Sequence, residues 1–274
     1  MQTITWIEPT QGDPALADLW SFLREQVAVL AAGRVKTQMI HAPVAAGGIR
    51  TMANRLMSDA AILSASLEAE ADSDALVLGC WGAPTAAVRA AVGVPVSSLP
   101  DGSVRAVGSL AKRAVLVTVA QSLVPIFVDD LSAHGASQFL RERPVRAYDP
   151  ETNHLDVLRA VAQPGAIIDH FDAAAQRAVD DGADAIVVGC GYLGPIFAAN
   201  GYSSVRKHPD VPVLDCNRLA FEHALHLLRL SDSGIGPTPR GYVRPSGARA
   251  EALAAVAARL RPTADSTAAG WQGR

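Results

Sequence analysis

Two copies of nearly the same seven-residue stretch constrain the fold of this chain more than any other feature. The first, DALVLGC, covers residues 74–80, and the second, DAIVVGC, covers residues 184–190. In each copy a run of apolar, strand-forming residues ends in Gly-Cys. A Val-Pro-Val segment follows each copy after a short helical stretch, at 94–96 and at 211–213. This spacing predicts an internal duplication.

Short runs rich in Val and Ile alternate along the chain with longer amphipathic stretches rich in Ala, Leu and Arg. The alternation is typical of strands joined by crossover helices in a parallel sheet, so the predicted fold class is α/β. The predicted strands lie at residues 3–8, 36–41, 75–79, 94–98, 114–119, 144–148, 185–189 and 211–215.

The duplication predicts two pseudo-symmetric lobes, each a parallel sheet flanked by helices. In open parallel sheets ligands bind at the carboxyl ends of the strands, so we expect the active site in the cleft between the lobes. Residues 1–99 and about 216–262 are assigned to lobe 1, and residues 100–215 to lobe 2. The composition further predicts a Gly-, Pro- and Ser-rich loop at 231–245, a final helix at 247–260 and a disordered tail at 263–274.

The chain has 274 residues, of which 49% are hydrophobic, and this is enough apolar material for a large core. Its formal net charge of -3, with mixed signs, leaves no basic stripe for nucleic acid or for an anionic membrane surface. The first ten residues lack the basic start and apolar run of a signal peptide, so we expect a cytoplasmic protein. The expected partner is a small-molecule substrate.

The three cysteines, Cys80, Cys190 and Cys216, are odd in number and too few for a disulfide framework, so free thiols are expected. Any one of them could be a small buried hydrophobe at a strand end. The matched positions of Cys80 and Cys190 in the duplication favour a catalytic pair. Cys216 has no partner in the repeat, because Leu99 or Pro100 stands near its equivalent, and we interpret it as structural.

Two thiols on opposite sides of a cleft suit the inversion of a carbon stereocentre, since a base removes a proton from one face and an acid returns one to the other. We expect a helix N-terminus after each strand to lower the thiol pKa, so that one thiolate faces one thiol near neutral pH. Backbone N–H groups around Gly79, Gly82, Gly189 and Gly191 are expected to approach an enolate oxygen closely.

Three motifs then point to a family. They are CWGAPTAAVRAAVGVPV at 80–96, GADAIVVGC at 182–190 and VPVLD at 211–215. Together they resemble the aspartate/glutamate/hydantoin racemase superfamily, most closely its hydantoin racemase branch, over about residues 4–228. The resemblance implies that Cys80 and Cys190 are the acid/base pair, that no cofactor is needed and that the protein is a homo-oligomer.

The chain departs from the family around the expected substrate. Amino-acid racemases usually follow their cysteines with Asn-Thr and with Thr-Glu or Thr-His, whereas this chain has Trp81-Gly82 and Gly191-Tyr192, which disfavours a free amino acid. The hydantoin branch has Asn-Pro-Asn-Thr after its first strand, where this chain has EPTQ at 8–11. Glu8 is interpreted either as a partner for ring N–H groups or an amine, or as a solvated loop acid.

The other candidates for substrate contact also have structural alternatives. Trp81 and Tyr192 form an aromatic wall or pack into the core. Thr118 and Ser122 correspond to hydroxyls that the family places against the substrate, and Ser122 is alternatively a helix cap. The predicted substrate-binding residues are Glu8, Pro9, Thr10, Trp81, Gly82, Thr118, Ser122, Gly191 and Tyr192.

Two motifs have competing interpretations. GCGYLG at 189–194 fits G-x-G-x-x-G, and Asp215 follows at the distance of a dinucleotide fingerprint, but the segment between them contains Asn-Gly and Ser-Ser and makes a poor continuous helix. His223 and His226 are the only close histidine pair and lack an obvious third ligand, so a solvated helix face is favoured over a metal site, and no metal is predicted.

The predicted function is a cofactor-independent racemase or epimerase that inverts a carbon stereocentre next to a carbonyl, in a hydantoin or a related cyclic ureide or amino-acid derivative. The alternative within the superfamily is a maleate isomerase-like or arylmalonate decarboxylase-like enzyme with a cysteine nucleophile or proton donor. The decarboxylase type lacks the first cysteine, so retention of both favours racemisation. An NAD-dependent oxidoreductase and a non-catalytic binding protein are the further alternatives.

Overall fold

The computed structural model describes residues 1–10, 14–44, 48–140 and 142–260. Strands and helices alternate through these residues. The strands are β1 (Thr3–Glu8), β2 (Lys36–His41), β3 (Ala75–Leu78), β4 (Val96–Ser98), β5 (Ala114–Thr118), β6 (Val145–Ala147), β7 (Ala185–Val188), β8 (Ser204–Val205) and β9 (His208–Leu214). The helices are α1 (Ala17–Ala31), α2 (Met52–Ala69), α3 (Thr85–Ala91), α4 (Leu99–Leu110), α5 (Leu123–Ala133), α6 (His154–Ala162), α7 (Gly165–Asp180), α8 (Leu193–Ala199), α9 (Cys216–Asp232) and α10 (Ala248–Arg259).

The strands form two sheets that share one strand order. The first sheet runs β2-β1-β3-β4 and is parallel throughout. The second sheet runs β6-β5-β7-β9 with parallel pairing, and β8 adds to its edge. In both halves the first strand lies between the second and the third, and the fourth follows the third. The α/β prediction is confirmed, and the repeated sequence corresponds to a repeated topology.

The second sheet differs from the prediction at its edge. β8 is an antiparallel partner of β9, so this sheet is mixed rather than purely parallel. A strand of two residues in a turn-rich segment has too few positions to show a periodicity in the sequence. β4 also begins at Val96, two residues later than predicted.

The buried residues of the first sheet alternate between its two faces. Ile4 and Trp6 of β1 belong to the large core cluster, whereas Ile7 belongs to a smaller cluster on the other face. β3 alternates in the same way, with Val77 in the large cluster and Leu76 in the small one. This period of two buries the sheet on both sides, as expected for a parallel sheet covered by helices.

One apolar core extends through both halves of the chain. The large cluster contains Trp6 and Trp81 from the first half and Leu116, Phe171 and Phe197 from the second. The two sheets therefore share an interior, and this shared packing sets how their strand ends face each other.

The last helices return to the first half. Helix α9 packs on β3, β4 and α4, and Ser97 Oγ donates a hydrogen bond to Ala220 O at 2.8 Å. Helix α10, which the sequence predicts at 247–260, packs on α2 through a hydrogen bond from Ser64 Oγ to Ala257 O at 2.9 Å. From the packing of α9 on β3 and β4 and of α10 on α2, we propose that lobe 1 comprises residues 1–99 and about 216–262 and that lobe 2 comprises residues 100–215, with α4 of lobe 2 against α9. The predicted tail at 263–274 lies outside the described residues.

Across the described ranges, none of the helices has both the length and the apolar character needed to cross a lipid bilayer.

Candidate active site

Each cysteine of the duplicated stretch stands two residues beyond the end of its strand, Cys80 after β3 and Cys190 after β7. The preceding glycine is bonded to the neighbouring strand in the same way in both halves. Gly79 N–H donates to a carbonyl of β1 at 2.9 Å, and Gly189 N–H donates to a carbonyl of β5 at 2.8 Å. The repeat thus places the two thiols at equivalent positions.

The two Gly-Cys turns are in contact with each other. A β-carbon placed on Gly191 would lie 2.8 Å from the carbonyl oxygen of Gly79, closer than such atoms normally approach. Asn217 fixes the second turn, because its Nδ2 donates to Gly191 O at 2.7 Å. The charge of an ionised Cys190 raises the pKa of Cys80, so the thiols are near enough to interact electrostatically.

Burial raises the pKa of both thiols, to about 12 for Cys80, although each thiol keeps partial exposure. Backbone hydrogen bonds act in the opposite direction. The N–H of Gly82 lowers the pKa of Cys80, and the N–H groups of Tyr192 and Leu193 lower that of Cys190. The expectation that a helix N-terminus would lower both pKa values is therefore wrong in its net direction, because burial outweighs the hydrogen bonds.

Glu8 is buried at the end of β1, with 1% of its surface exposed, so it is not a solvated loop acid. Its Oε1 accepts hydrogen bonds from Thr10 N–H at 3.1 Å, from the Thr10 hydroxyl at 2.7 Å and from the Tyr192 hydroxyl at 2.7 Å. Trp20 Nε1 donates to Thr10 Oγ1 at 2.8 Å, and His41 Nδ1 lies 2.7 Å from Thr10 O. These bonds hold one carboxylate oxygen of Glu8 in place.

The charge of Glu8 acts on both thiols. Burial raises the pKa of Glu8, and the hydrogen bonds from Thr10 and Tyr192 partly offset this. When it is ionised, Glu8 raises the pKa of Cys80 and of Cys190. The site therefore contains three acidic groups that influence one another's protonation.

Two residues near Cys190 are not among the site residues predicted from the sequence. Tyr148, just beyond β6, is buried, and its hydroxyl is hydrogen-bonded to Thr152 Oγ1. Burial raises the pKa of Tyr148, and the charge of Cys190 raises it further. Arg50 donates hydrogen bonds to Thr152 O and, at 3.3 Å, to Glu151 Oε2, and its charge lowers the pKa of Cys190. The position of Tyr148 at a strand's carboxyl end was the only available clue.

A charged cluster joins the two lobes next to Cys80. Arg55 of α2 lies 2.5 Å from Asp130 of α5, and Arg55 Cζ would be 3.9 Å from a β-carbon on Gly82. Burial raises the pKa of Asp59, one turn along α2, to about 6. Within the described residues, Asp59 Oδ1 and Asp130 Oδ2 are buried without a hydrogen-bond partner.

The remaining predicted site residues occupy different environments. Trp81 is 1% exposed, and its ring centroid lies 6.0 Å from that of Phe127, so the indole packs into the core. Thr118 is fully buried, and its hydroxyl donates to Gly189 O at 3.4 Å, on the turn that carries Cys190. Ser122 is exposed and makes no side-chain bond to α5, so the capping interpretation is wrong.

The first-lobe loop and the two turns are arranged around the thiols. Pro9 and Thr10 follow Glu8 and are partly exposed, whereas Gln11 lies outside the described residues. Gly82 is buried, and a β-carbon there would lie 2.8 Å from Ile49 Cδ1. The structure thus places Glu8, Thr10 and Tyr192 in one hydrogen-bonded group whose carboxylate interacts electrostatically with both thiols, whereas Trp81 and Ser122 lie outside this group.

The third cysteine and the glycine-rich motif have structural surroundings. Cys216 is fully buried at the start of α9, with its sulfur 3.7 Å from Cys190 O. Asp215 caps the same helix by accepting a hydrogen bond from Asn217 N–H at 2.9 Å. A β-carbon on Gly194 would lie 2.1 Å from Asp215 Oδ1, so this carboxylate packs against the glycine motif instead of projecting from a strand end. Among the described residues, no group of three His, Cys, Asp or Glu side chains could hold a metal ion.

Comparison with known proteins agrees with this architecture. The family model for Asp/Glu/hydantoin racemase matches residues 21–227. A hydantoin racemase from Rhizobium meliloti is 29% identical over 182 residues, which is 64% of this chain and 69% of that protein. An allantoin racemase from Klebsiella pneumoniae superposes with a TM-score of 0.74 at 18% identity, covering 96% of this chain and 100% of the other. An allantoin racemase from Pseudomonas fluorescens superposes with a TM-score of 0.74 at 21% identity. This superposition covers 89% of this chain and 97% of the other.

The chain, with its two α/β halves of one shared strand order, has the fold of the two allantoin racemases. The chain belongs to the Asp/Glu/hydantoin racemase family. The resemblance seen in the sequence is confirmed, and so is the prediction of an isomerase of the racemase type.

Proposed function

We propose that this protein racemises the carbon stereocentre next to the carbonyl of a 5-substituted hydantoin or a related cyclic ureide, with Cys80 and Cys190 alternating as base and acid. The observation that supports this most strongly is the matched pair of Gly-Cys turns in contact through Gly79 and Gly191. Racemisation needs a base on one face of the carbon and an acid on the other, and the two roles are exchanged in the reverse direction. Two equivalent thiols, one from each half of the duplication, suit this requirement.

The proposed reaction moves one proton at each face of the carbon. The thiolate of one cysteine takes the proton from C5, and the electron pair left behind spreads into the adjacent carbonyl as an enolate. The thiol of the other cysteine then gives its proton to the opposite face of C5. The product is the mirror-image hydantoin, and the two cysteines have exchanged protonation states. The carbonyl of the substrate accepts the electron pair, so this step requires no cofactor.

The raised thiol pKa values make the thiolate scarce but basic. Burial is the main cause, and it makes either thiolate a stronger base toward the carbon acid once it forms. Backbone N–H groups of Gly82, Tyr192 and Leu193 stabilise the thiolates. In this proposal the N–H groups of the turns therefore stabilise sulfur anions.

Glu8 supports a ureide in preference to a free amino acid. Its Oε1 is occupied by Thr10 and Tyr192, whereas its Oε2 has no hydrogen bond to a described residue. A carboxylate oxygen accepts hydrogen bonds, and hydantoin rings carry N–H donors. The carboxylate of a free amino acid would instead be repelled by Glu8 and by the thiolate. We propose Oε2 as the acceptor for a ring N–H.

The experiment is to incubate the purified protein in D2O with enantiopure 5-benzylhydantoin and, separately, 5-isobutylhydantoin. Optical rotation and the C5 proton signal in NMR are followed together, against a sample without protein. We expect rotation to decay as deuterium replaces the C5 proton, faster than in the control. Rotation and proton signals that match the control for both compounds would contradict the proposal and redirect tests to decarboxylation or isomerisation.

A further inference from the structure

A cavity separate from the thiol site lies between helices α4 and α9. The two helices are in backbone contact at Gly102, where a β-carbon would lie 2.5 Å from Ala220 Cα. Further along both helices a cavity of about 720 Å³ opens between them. The cavity shares no lining residue with the thiol site, so binding there does not depend on the proposed racemisation.

One stripe of each helix lines the cavity. The spacing i, i+3, i+4 and i+7 places four residues of each helix on a common face. On α4 these are Asp101, Val104, Arg105 and Gly108, and on α9 they are His223, His226, Leu227 and Leu230. The chain after α5 contributes His134 and Gln138, and the chain after α9 closes the cavity with Ile235, Pro237 and Tyr242. Arg89, Pro95 and Val96 also contribute to the lining, so several separate segments of the chain form the walls.

The single carboxylate of the cavity is already fully engaged. Asp101 is 3% exposed, and its oxygens lie 2.7 Å from Arg89 and 3.1 Å from Arg105. The Nδ1 atoms of His134 and His223 each lie 3.5 Å from the same carboxylate. Burial alone would raise the pKa of Asp101, but these four neighbours hold it below its usual value, so Asp101 stays ionised and neutralises only one of the two arginines.

Hydrogen-bond donors remain unused at the cavity mouth. The Arg105 side chain is 60% exposed and bonds Asp101 through Nε, and its two Nη groups have no acceptor among the described residues. His226, one turn beyond His223, is exposed, and no described residue accepts a hydrogen bond from its ring. Because Arg105 and His226 both line the cavity, an anionic group that enters it would find donors for charge-assisted hydrogen bonds.

Part of the cavity lining is apolar. Leu227 and Leu230 continue the α9 stripe, Val104 faces them from α4, and Ile235 stands beside them with 59% of its surface exposed. Such a large apolar side chain left open beside unused donors is typical of a site for a ligand with one charged and one apolar end.

We infer that the α4–α9 cavity binds a small organic carboxylate, with its charged group against Arg105 and His226 and its apolar arm along Leu227, Leu230 and Ile235. Arg89 and Asp101 form the fixed wall of the site, because Arg89 also bonds Val96 O at 2.8 Å and Tyr242 OH at 3.3 Å. The carboxylate meets Arg105 from the side that Asp101 leaves free.

The test is calorimetric titration of the full chain with 3-phenylpropionate and with its neutral amide. The carboxylate should bind, and the amide should bind at least about tenfold more weakly, since it lacks the charge. Arg105→Gln and His226→Gln should each weaken binding of the carboxylate, by about tenfold for Arg105→Gln. Arg229→Gln is the matched control, because this arginine is exposed on the same helix but outside the cavity, and binding should not change.

A Cys80→Ala/Cys190→Ala double variant separates this site from the thiol site, and it should retain full carboxylate binding. Arg105→Lys should restore part of the affinity lost in Arg105→Gln if a positive charge at this position matters. The inference is overturned if the carboxylate does not bind, if the amide binds equally well, or if Arg105→Gln binds like the Arg229→Gln control. Loss of binding in the double cysteine variant would also overturn it.

Discussion

Gly191 packs so closely on Gly79 that a β-carbon on Gly191 would lie 2.8 Å from the Gly79 carbonyl oxygen. These two glycines each adjoin a cysteine of the duplicated stretch, and they belong to opposite lobes. The close approach of the two turns therefore depends on a backbone contact, at the place where the proposed reaction needs two groups held across one carbon.

Substitution Gly191→Ala should push the turns apart. Because the new methyl group meets backbone, which cannot move aside cheaply, we expect kcat to fall by about tenfold to a hundredfold for both enantiomers. Steady-state polarimetry measures this. Gly165→Ala is the control, since nothing lies within 4 Å of a β-carbon there, and its free energy of unfolding should change by less than about 1 kcal/mol. Wild-type kcat in Gly191→Ala would show that the contact does not position the thiols.

The rate of racemisation should rise with pH across the neutral and weakly alkaline range. In the proposed reaction the base is a thiolate. Burial raises the pKa of both thiols, to about 12 for Cys80, so the ionised form is lost as pH falls. We expect kcat/KM to increase about tenfold per pH unit between about pH 6 and 8. Initial rates corrected for spontaneous racemisation give this profile, and a plateau beginning below pH 7 would contradict it.

Glu8→Gln should move this rising limb to lower pH. The glutamine keeps an oxygen that accepts from Thr10 and Tyr192, but it removes the charge that raises the pKa of both thiols. KM should increase if Glu8 Oε2 accepts a ring N–H. The same profile is measured for Glu25→Gln, an exposed acid on α1, which should match the wild type. If the rate of Glu8→Gln rises over the same pH range as that of the wild type, the charge of Glu8 does not raise the thiol pKa values.

The sequence identified the elements whose signals are local. β1 and β2 have the predicted bounds because their strand-forming residues are bordered by clear turn residues, and both cysteines follow from the repeat. The surroundings of those elements depend on tertiary contacts. Tyr192 reaches Glu8 across 184 positions, and no local pattern records such a bond.

Burial is the other quantity that the sequence did not reveal. Burial of the two thiols raises their pKa values. The helix N-terminus that the sequence predicts after each strand would by itself lower these pKa values. His223, interpreted from the sequence as part of a solvated helix face, has a side chain only 10% exposed, with Nδ1 3.0 Å from Ser97 Oγ. Its environment depends on how α9 packs against β4 and α4.

Asp59→Asn should stabilise the protein above about pH 6. Burial raises the pKa of Asp59 to about 6 from 3.8, so the folded state binds more protons than the unfolded state between these values. The protonated form of Asp59 stabilises the folded state relative to the ionised form. This stabilisation is fully present below the unfolded pKa of 3.8 and is lost as the pH rises through about 6. The gain in free energy of unfolding should approach about 2–3 kcal/mol at pH 8 and disappear near pH 4.

Urea unfolding of Asp59→Asn and wild type at several pH values measures this difference. Asp210→Asn, which removes an exposed acid of β9, controls for the general loss of a negative charge and should show no such pH dependence. A constant difference between Asp59→Asn and wild type across the range would rule out Asp59 as the buried group that titrates.

The measurement that tests the two-thiol mechanism most directly is deuterium exchange at C5 by single cysteine variants. Cys80→Ala and Cys190→Ala are each incubated in D2O with the two enantiomers of 5-benzylhydantoin in separate samples. Cys216→Ala serves as the control, since it keeps both Cys80 and Cys190. If the proposed two-thiol reaction operates, Cys216→Ala racemises both enantiomers, and each of the other variants loses racemisation. Any remaining exchange in Cys80→Ala or Cys190→Ala should be confined to one enantiomer, opposite in the two variants. Full racemisation by either variant, or exchange of both enantiomers by one remaining thiol, would contradict the account.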